Sequence, residues 1–282
     1  MSLTATDIDL VCDFVRELCG ISLDATKGYL IESRFTPLLK EFGLNSYSDL
    51  VRRGRDRTNQ PFRQKVIDAI TTQETSFFRD NSPYEALRFK ALPELIDAKI
   101  GTTFPKRLRI WSAACSNGQE PYSIGIVLHQ MIPDIHSWDI KILATDISDN
   151  AISRASRGWY SQLEIDRGVP ADIRSRFFTP KDDGWVISDS VRALVSFRKL
   201  NLLEPFPPIA PIDLVFCRNV AIYFAKEQRD DLFRRFKKVM SPEAYLFVGA
   251  SESLLGLGPE FQPQAHCKAT FYRPNLPAPA VR

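Results

Sequence analysis

The chain is poor in the groups that most often announce a chemistry. Its three histidines, His129, His136 and His266, fall into no metal-ligand spacing, so no zinc site is expected. Its five cysteines (Cys12, Cys19, Cys115, Cys217, Cys267) are odd in number and form no Cys-x-x-Cys pair. Without a signal peptide at Met1-Ser2-Leu3, they read as reduced thiols of a cytoplasmic protein rather than as a disulfide framework. No apolar run approaches the roughly 20 residues that a membrane helix needs, so no membrane insertion is expected. Charge of one sign is lacking too: 37 basic against 34 acidic residues leave +3, too little to argue for a nucleic-acid partner. What remains is an ordinary globular composition, 44% hydrophobic and 25% charged, in 282 residues. That length suits one large or two small domains with a substantial core.

Residues 1 to about 72 carry helical periodicity and no strand pattern. Thr6-Asp7 opens a segment with Leu10, Val11, Phe14, Val15 and Leu18 on one face, closed by Gly20. A second helix is expected from Gly28 to Phe42, kinked or broken at Pro37. Shorter helices are expected over Tyr47–Arg53 and Pro61–Thr71. Cys12 and Cys19 read as small buried hydrophobes of this bundle. Arg52, Arg53, Arg55, Arg57, Arg63 and Lys65 lie within 14 positions. They read either as a solvated face or as an electrostatic dock for an acidic partner. The segment Thr71–Asp80 (TTQETSFFRD) is dense in hydrogen-bonding groups and fits no period, as a connector or binding loop would. Residues 1–80 are therefore taken as a helical domain with its linker.

An amphipathic helix over Ser82–Lys99, bent at Pro93, and a linker at Gly101–Pro105 precede a change of pattern. Leu108, Ile110 and Trp111 form a buried strand that empties into Ser112-Ala113-Ala114-Cys115-Ser116-Asn117-Gly118-Gln119-Glu120-Pro121. Helical spacing then resumes at Tyr122, Ile124, Ile126, Val127 and Leu128. Strand, small-residue turn, helix is the form of a nucleotide-cradling loop, since small side chains let a ligand approach the backbone. Here one glycine stands where the dinucleotide fingerprint has three, and Glu120 lies at the helix start.

Ile140–Ala144 reads as a second strand ending at Thr145-Asp146, with a helix over Ser148–Arg157. Asp146 stands either where α/β nucleotide folds place the carboxylate for the ribose hydroxyls, or as a helix N-cap. Residues 177–197 look like a small antiparallel excursion that returns to the main sheet at Val195–Lys199. Asn201-Leu202 follows at that strand's carboxyl end. Ile212–Cys217 and Ala244–Ala250 are core strands around a helix at Gln228–Met240. Lys268–Arg273 is expected as an edge strand and 274–282 as a disordered tail.

Four pieces in this order resemble the chemotaxis receptor methyltransferases of the CheR type: TTQETSFFRD (71–80), WSAACSNGQEPYSI (111–124), ATDIS (144–148) and NLLEPF with DLVFCRNVAIYF (201–224). The resemblance spans nearly the whole chain. It implies a small all-α domain, then a Rossmann-like α/β methyltransferase domain, residues 81–273, carrying an inserted antiparallel β-subdomain at 177–197. It implies methyl transfer from S-adenosylmethionine to glutamate side chains on the cytoplasmic domains of chemotaxis receptors, with S-adenosylhomocysteine as product. Family cofactor contacts fall on Gln73, Thr75, Arg79, Glu120, Asp146, Asn201, Leu202, Arg218 and Asn219. Gln73 departs from the asparagine common there. Arg79 is expected to hold the cofactor carboxylate or steer the substrate's, and Tyr223 either to present its hydroxyl near the transferring methyl or to pack as a core tyrosine. Asn201 and Leu202 are expected at the adenine, with Asn201 as a plain turn residue the alternative. The hairpin around Lys181–Asp189 lacks the glycine-bearing loop that goes with docking to a receptor pentapeptide tether, so a tether-independent enzyme is expected.

A glutamate with a reference pKa near ~4.3 is already ionised near neutral pH, so this transfer needs no general base. The candidate loops accordingly hold no His-Asp pair and no serine nucleophile, and Cys115 and Cys217 read as packing. A methyltransferase for a small molecule or RNA, or a non-catalytic cofactor sensor, would share the cofactor loop. The former should lack TTQETSFFR and the helical bundle.

Overall fold

A computed structural model of the chain describes residues 3–100 and 106–275. The expected linker at Gly101–Pro105 and most of the expected tail lie outside the described residues.

The N-terminal bundle is α1 (Ala5–Cys19), α2 (Gly28–Glu41), α3 (Tyr47–Arg55) and α4 (Gln60–Ile70). Thr4 and Asp7 form a reciprocal capping box at the start of α1, and Gly20 ends the helix in a left-handed conformation. Pro37 sits inside α2 without ending it. That helix buries Ile31, Phe35, Leu38 and Leu39. Burying such a side chain stabilises by about 1.5–3 kcal/mol, and together they outweigh the ~3 kcal/mol cost of an interior proline. The linking helix is α5 (Ser82–Ala86) and α6 (Leu92–Ile100), joined by a π turn over Leu87–Ala91 in which Leu92 N–H reaches back to Leu87 O. The irregularity expected at Pro93 thus falls in the preceding turn, as a widened helix rather than a bend at the proline.

The main domain follows as β1 (Arg107–Ala113), α7 (Gln119–Met131), β2 (Asp139–Asp146), α8 (Asp149–Arg157), β3 (Trp159–Ser161), α9 (Gln162–Asp166), α10 (Ala171–Phe177), β4 (Phe178–Lys181), β5 (Gly184–Ile187), α11 (Asp189–Arg192), β6 (Val195–Lys199), β7 (Ile212–Cys217), α12 (Lys226–Val239), β8 (Met240–Val248), β9 (Phe261–His266) and β10 (Ala269–Pro274). Seven strands form one sheet in the order β6-β2-β1-β7-β8-β10-β9. The first five are mutually parallel, and β10 and β9 close the sheet antiparallel. Residues of β1 alternate between two cores. Leu108 and Ile110 join Leu92, Ile124 and Phe271 on one face, while Trp111 and Ala113 join Leu232, Phe233 and Phe236 on the other. β1 lies between β2 and β7, where the strand order reverses, and open α/β sheets bind ligands beyond the carboxyl ends at that point.

Two expectations need correction. The small antiparallel sheet has the order β3-β5-β4 and runs from Trp159 to Ile187, so the excursion opens before residue 177. A three-residue strand is too short to show a period, and β3 forms only because Trp159–Ser161 finds β5 as a partner. Second, β10 is not the edge strand: β9 (FQPQAH) lies outside it. Its proline and polar residues disguise it as a loop, and an edge is where a strand tolerates proline.

Candidate functional site

The carboxyl ends of β1, β2, β6 and β7 open into a cleft with about 1130 Å³ of empty space, part of it open to solvent. The structure brings all ten residues singled out from the sequence to its walls: Gln73, Thr75, Arg79, Glu120, Asp146, Asn201, Leu202, Arg218, Asn219 and Tyr223. Cys115 lies there as well, whereas Cys217 is not among the lining residues. The lining contains no histidine.

The loop after β1 supplies the floor. Ala114, Ser116 and Gly118 all have positive φ, at 61°, 50° and 92°. Only glycine adopts this winding without penalty, so Ala114 and Ser116 hold it because the surrounding fold requires it. At Gly118 the requirement is also steric, because a Cβ would stand 2.9 Å from both Ala155 Cβ and the Tyr160 hydroxyl. The lone glycine therefore answers to α8 and to the small sheet behind it.

Asp146 ends β2 and is 7% exposed. Its Oδ2 accepts the Ser116 N–H at 2.8 Å and its Oδ1 the Ser148 N–H at 2.9 Å. It does not cap α8; Ser148 does, accepting the Ala151 N–H at 3.1 Å. Burial pushes the Asp146 carboxyl up, against the backbone N–H groups that favour its ionised form. Each oxygen accepts one donor, which leaves acceptor capacity for a diol.

Glu120, in the first turn of α7, accepts Ser112 Oγ at 2.8 Å. Burial raises its pKa as well, opposed by Arg218, whose Nη1 lies 3.3 Å from Glu120 Oε2. Arg218 Nη2 donates to Asp80 Oδ2 at 2.7 Å and to Arg79 O at 3.0 Å. Its Nε is buried and has no hydrogen-bond partner among the described residues. One guanidinium thus ties β7, α7 and the 73–80 linker together and keeps a donor over.

The linker lies across the loop. Ser116 Oγ donates to Gln73 Oε1 at 2.7 Å, and Asn117 Nδ2 to Gln73 O at 3.4 Å. Phe77 anchors the linker edge-on against Tyr160 and Phe178, with centroids at 4.8 and 5.3 Å. Arg79 donates to Glu74 O at 3.0 Å and pairs with no carboxylate among the described residues. Asn201 accepts the Leu203 N–H at 3.0 Å, a local turn that leaves its amide NH₂ available. Tyr223 is 38% exposed, and its hydroxyl bonds to no described residue.

The sequence reading missed the contribution of the helical bundle. Cys19, Ile21, Leu23 and Leu30 line the cleft. Gly20 explains how they come so near: a Cβ there would fall 2.0 Å from Leu203 Cδ1 and 3.2 Å from Phe224. Ser22 N–H donates to Tyr223 O at 2.7 Å. Such a contact joins segments some 200 positions apart and leaves no local signal, although a glycine closing α1 is its visible half. Also missed was Glu252, 9% exposed, which accepts four backbone N–H groups beside the site. Burial raises the thiol pKa values of Cys19, to about 11, and of Cys115 and Cys217, which removes them as nucleophiles.

An open sheet with a small-residue loop at its switch point, an acid ending β2 and apolar walls defines an S-adenosylmethionine-dependent methyltransferase of the Rossmann-like class. Residues 73–269 match the CheR methyltransferase SAM-binding domain, and residues 6–71 the CheR methyltransferase all-alpha domain. The chain is 38% identical to chemotaxis protein methyltransferase 1 of Pseudomonas aeruginosa over 97% of its own length and 99% of the relative's. It is 38% identical to chemotaxis protein methyltransferase 1 of Vibrio cholerae over 89% and 90% of the two chains. A chemotaxis protein methyltransferase of Borreliella burgdorferi shares 34% over 91% of each. The chain belongs to the CheR methyltransferase family, the protein-glutamate O-methyltransferases of chemotaxis, and its cofactor is S-adenosylmethionine.

Proposed function

We propose that this enzyme esterifies glutamate carboxylates on the cytoplasmic domains of chemotaxis receptors, acts in the cytoplasm, and does so without a receptor pentapeptide tether. The observation that carries the last point is the tightness of the hairpin. Lys181 pairs directly with Gly184, so only Asp182 and Asp183 form the turn, and β4, one of the two edge strands of the small sheet, holds Pro180. A proline has no N–H to give an added strand, and its presence on an edge discourages pairing.

The cofactor fits the residues present. Asp146, with its acceptor capacity for a diol, would hold the ribose, and Asn201 with buried Leu202 the adenine. The orphaned Arg218 Nε and the unpaired Arg79 would meet carboxylates. Gln73 and Thr75 would close over the cofactor from the linker, with Glu120 and Asn219 at its amino-acid end. When bound, the cofactor supplies an electrophilic methyl group on a sulfonium. The protein's part is then orientation and exclusion of water. The apolar wall from the helical bundle lowers local polarity where opposite charges annihilate, which favours the transition state over the reactants. Arg79 steers the incoming carboxylate, and the free Tyr223 hydroxyl sits at the exposed mouth.

The arginine cluster supports a receptor dock only weakly. Arg52 pairs with Asp49 at 2.6 Å, Arg55 with Glu17 at 2.9 Å, and Arg53 stacks over Phe42 and Phe62 at 5.0 and 4.9 Å. Arg53 and Arg57 have no carboxylate partner among the described residues, and Arg53 is held over its two rings, so an acidic partner would meet one unengaged cation there.

The test is incubation with labelled cofactor and receptor cytoplasmic domains, each with and without its C-terminal segment, followed by alkaline methanol release. Equal transfer to both is expected, and Arg79→Ala should lose it while keeping its melting temperature. Dependence on the C-terminal segment would overturn tether independence; transfer only to RNA or small molecules would overturn the substrate.

A further inference from the structure

The segment Arg218–Phe224 bears three of the proposed site residues, yet it is irregular backbone apart from one short 3₁₀ turn at Ala221–Tyr223. Asn219 has φ +58°, a left-handed conformation that asparagine reaches at less cost than other non-glycine residues and that here is also held from outside the loop. The group that holds it is Glu252, in the turn after β8. Its Oε2 accepts the N–H groups of Gly249 at 2.6 Å and Asn219 at 2.8 Å; its Oε1 accepts those of Val220 at 3.1 Å and Ile222 at 3.2 Å. Four backbone donors converge on one carboxylate. Three belong to the site loop, and the fourth fixes the carboxylate to the end of the sheet. No cation pairs with Glu252 among the described residues, so the amides themselves hold the charge, as a nest holds an anion.

We infer that Glu252 is a positioning residue of the methyl-transfer site: it winds the Arg218–Tyr223 loop into the one conformation that aims Arg218, Asn219 and Tyr223 into the cleft. The charge is what makes the device work. A carboxylate is acceptor-only on both oxygens, whereas the isosteric amide presents an NH₂ to two donors. Hydrogen bonds to a charged acceptor are also roughly twice as strong as neutral ones.

Gly249 is the other half of the device. A Cβ there would stand 2.7 Å from Glu252 Oε2, 2.8 Å from Asn219 Nδ2 and 2.9 Å from Asn219 N. Its backbone is not left-handed, so alanine would be strained only by these contacts. Glu252→Gln and Gly249→Ala therefore disturb the same junction from opposite sides, one by charge and one by volume.

The inference rests on the reading that Arg218 and Asn219 contact the cofactor, and its test does not need the receptor. S-adenosylhomocysteine is titrated calorimetrically into the full chain and each variant. Stoichiometry reports the folded fraction, and affinity reports the geometry of the loop. We expect Glu252→Gln and Gly249→Ala each to weaken affinity at least fivefold at unchanged stoichiometry, with the double variant close to the worse single one because both act on one junction. Affinity within twofold of the parent in both variants would overturn the inference. So would a loss confined to stoichiometry, the mark of a residue that serves folding alone. Parent protein that binds S-adenosylhomocysteine yet methylates no receptor fragment would count against the proposed substrate and leave Glu252 to be judged by the affinities.

Discussion

Arg218 and Glu120 form an ion pair across the cleft wall, Nη1 to Oε2 at 3.3 Å, with only 2% and 13% of the two side chains exposed. Asp80, 41% exposed, completes the group from the linker at 2.7 Å. The cation is thus shared by three chain segments that meet only in the folded state. Removing one partner of a buried pair leaves the other uncompensated.

Arg218→Ala should therefore destabilise the protein by about 3–5 kcal/mol at neutral pH, and adding Glu120→Gln should recover part of that. The sign with pH follows from Glu120, whose carboxyl burial already raises. Without Arg218 the folded state binds that proton still more tightly than the unfolded state does. The loss should be largest at neutral pH and shrink as pH falls through the folded pKa. Chemical denaturation at several pH values measures this; a pH-independent loss would show that Glu120 is not the group left stranded.

Asp146 governs a second pH effect, of opposite sense in binding and in stability. Burial raises its carboxyl, so in the empty protein ionisation costs folding energy that is relieved as pH falls through the folded pKa. A ribose diol donates hydrogen bonds and needs the ionised form. Affinity for S-adenosylhomocysteine should accordingly decline on acidification from a pH above the ordinary aspartate value of about 3.9. Asp146→Ala should bind at least tenfold more weakly and lose that pH dependence. Calorimetry at constant ionic strength decides it.

Gly118 and Gly43 provide a matched pair. Both have positive φ, 92° and 62°, but a Cβ at Gly43 would meet nothing within 4 Å, while at Gly118 it would meet Ala155 and Tyr160. Alanine at Gly43 should cost about 1 kcal/mol for the backbone conformation alone. Alanine at Gly118 should cost about 1–3 kcal/mol more through overpacking, and should weaken cofactor affinity with it. Equal melting shifts for the two variants would place the demand on Gly118 in its backbone only.

The pattern of β1, its small-residue loop and α7 could be read residue by residue, because their periods are local and strong. So could the ends of β2, β6 and β7, where Asp146, Asn201 and Arg218 fall, since a chain that repeats strand, turn and helix has only one end at which its loops can gather. Gln73, Thr75 and Arg79 in the linker, by contrast, came only from the family resemblance. Local pattern also carried the family resemblance, through short motifs whose residues answer to backbone shape and ligand together. The tertiary structure decided what depends on partners remote in sequence. The three-residue β3 exists because β5 receives it. Edge strand β9 looks like a loop until β10 pairs with it. Cys19–Leu30 becomes a cleft wall because Gly20 admits Leu203 and Phe224. Glu252 means nothing in the sequence until its carboxylate is found under the N–H groups of Asn219, Val220 and Ile222. Each of these rests on hydrogen bonds or contacts between distant segments, and such pairings have no period to read.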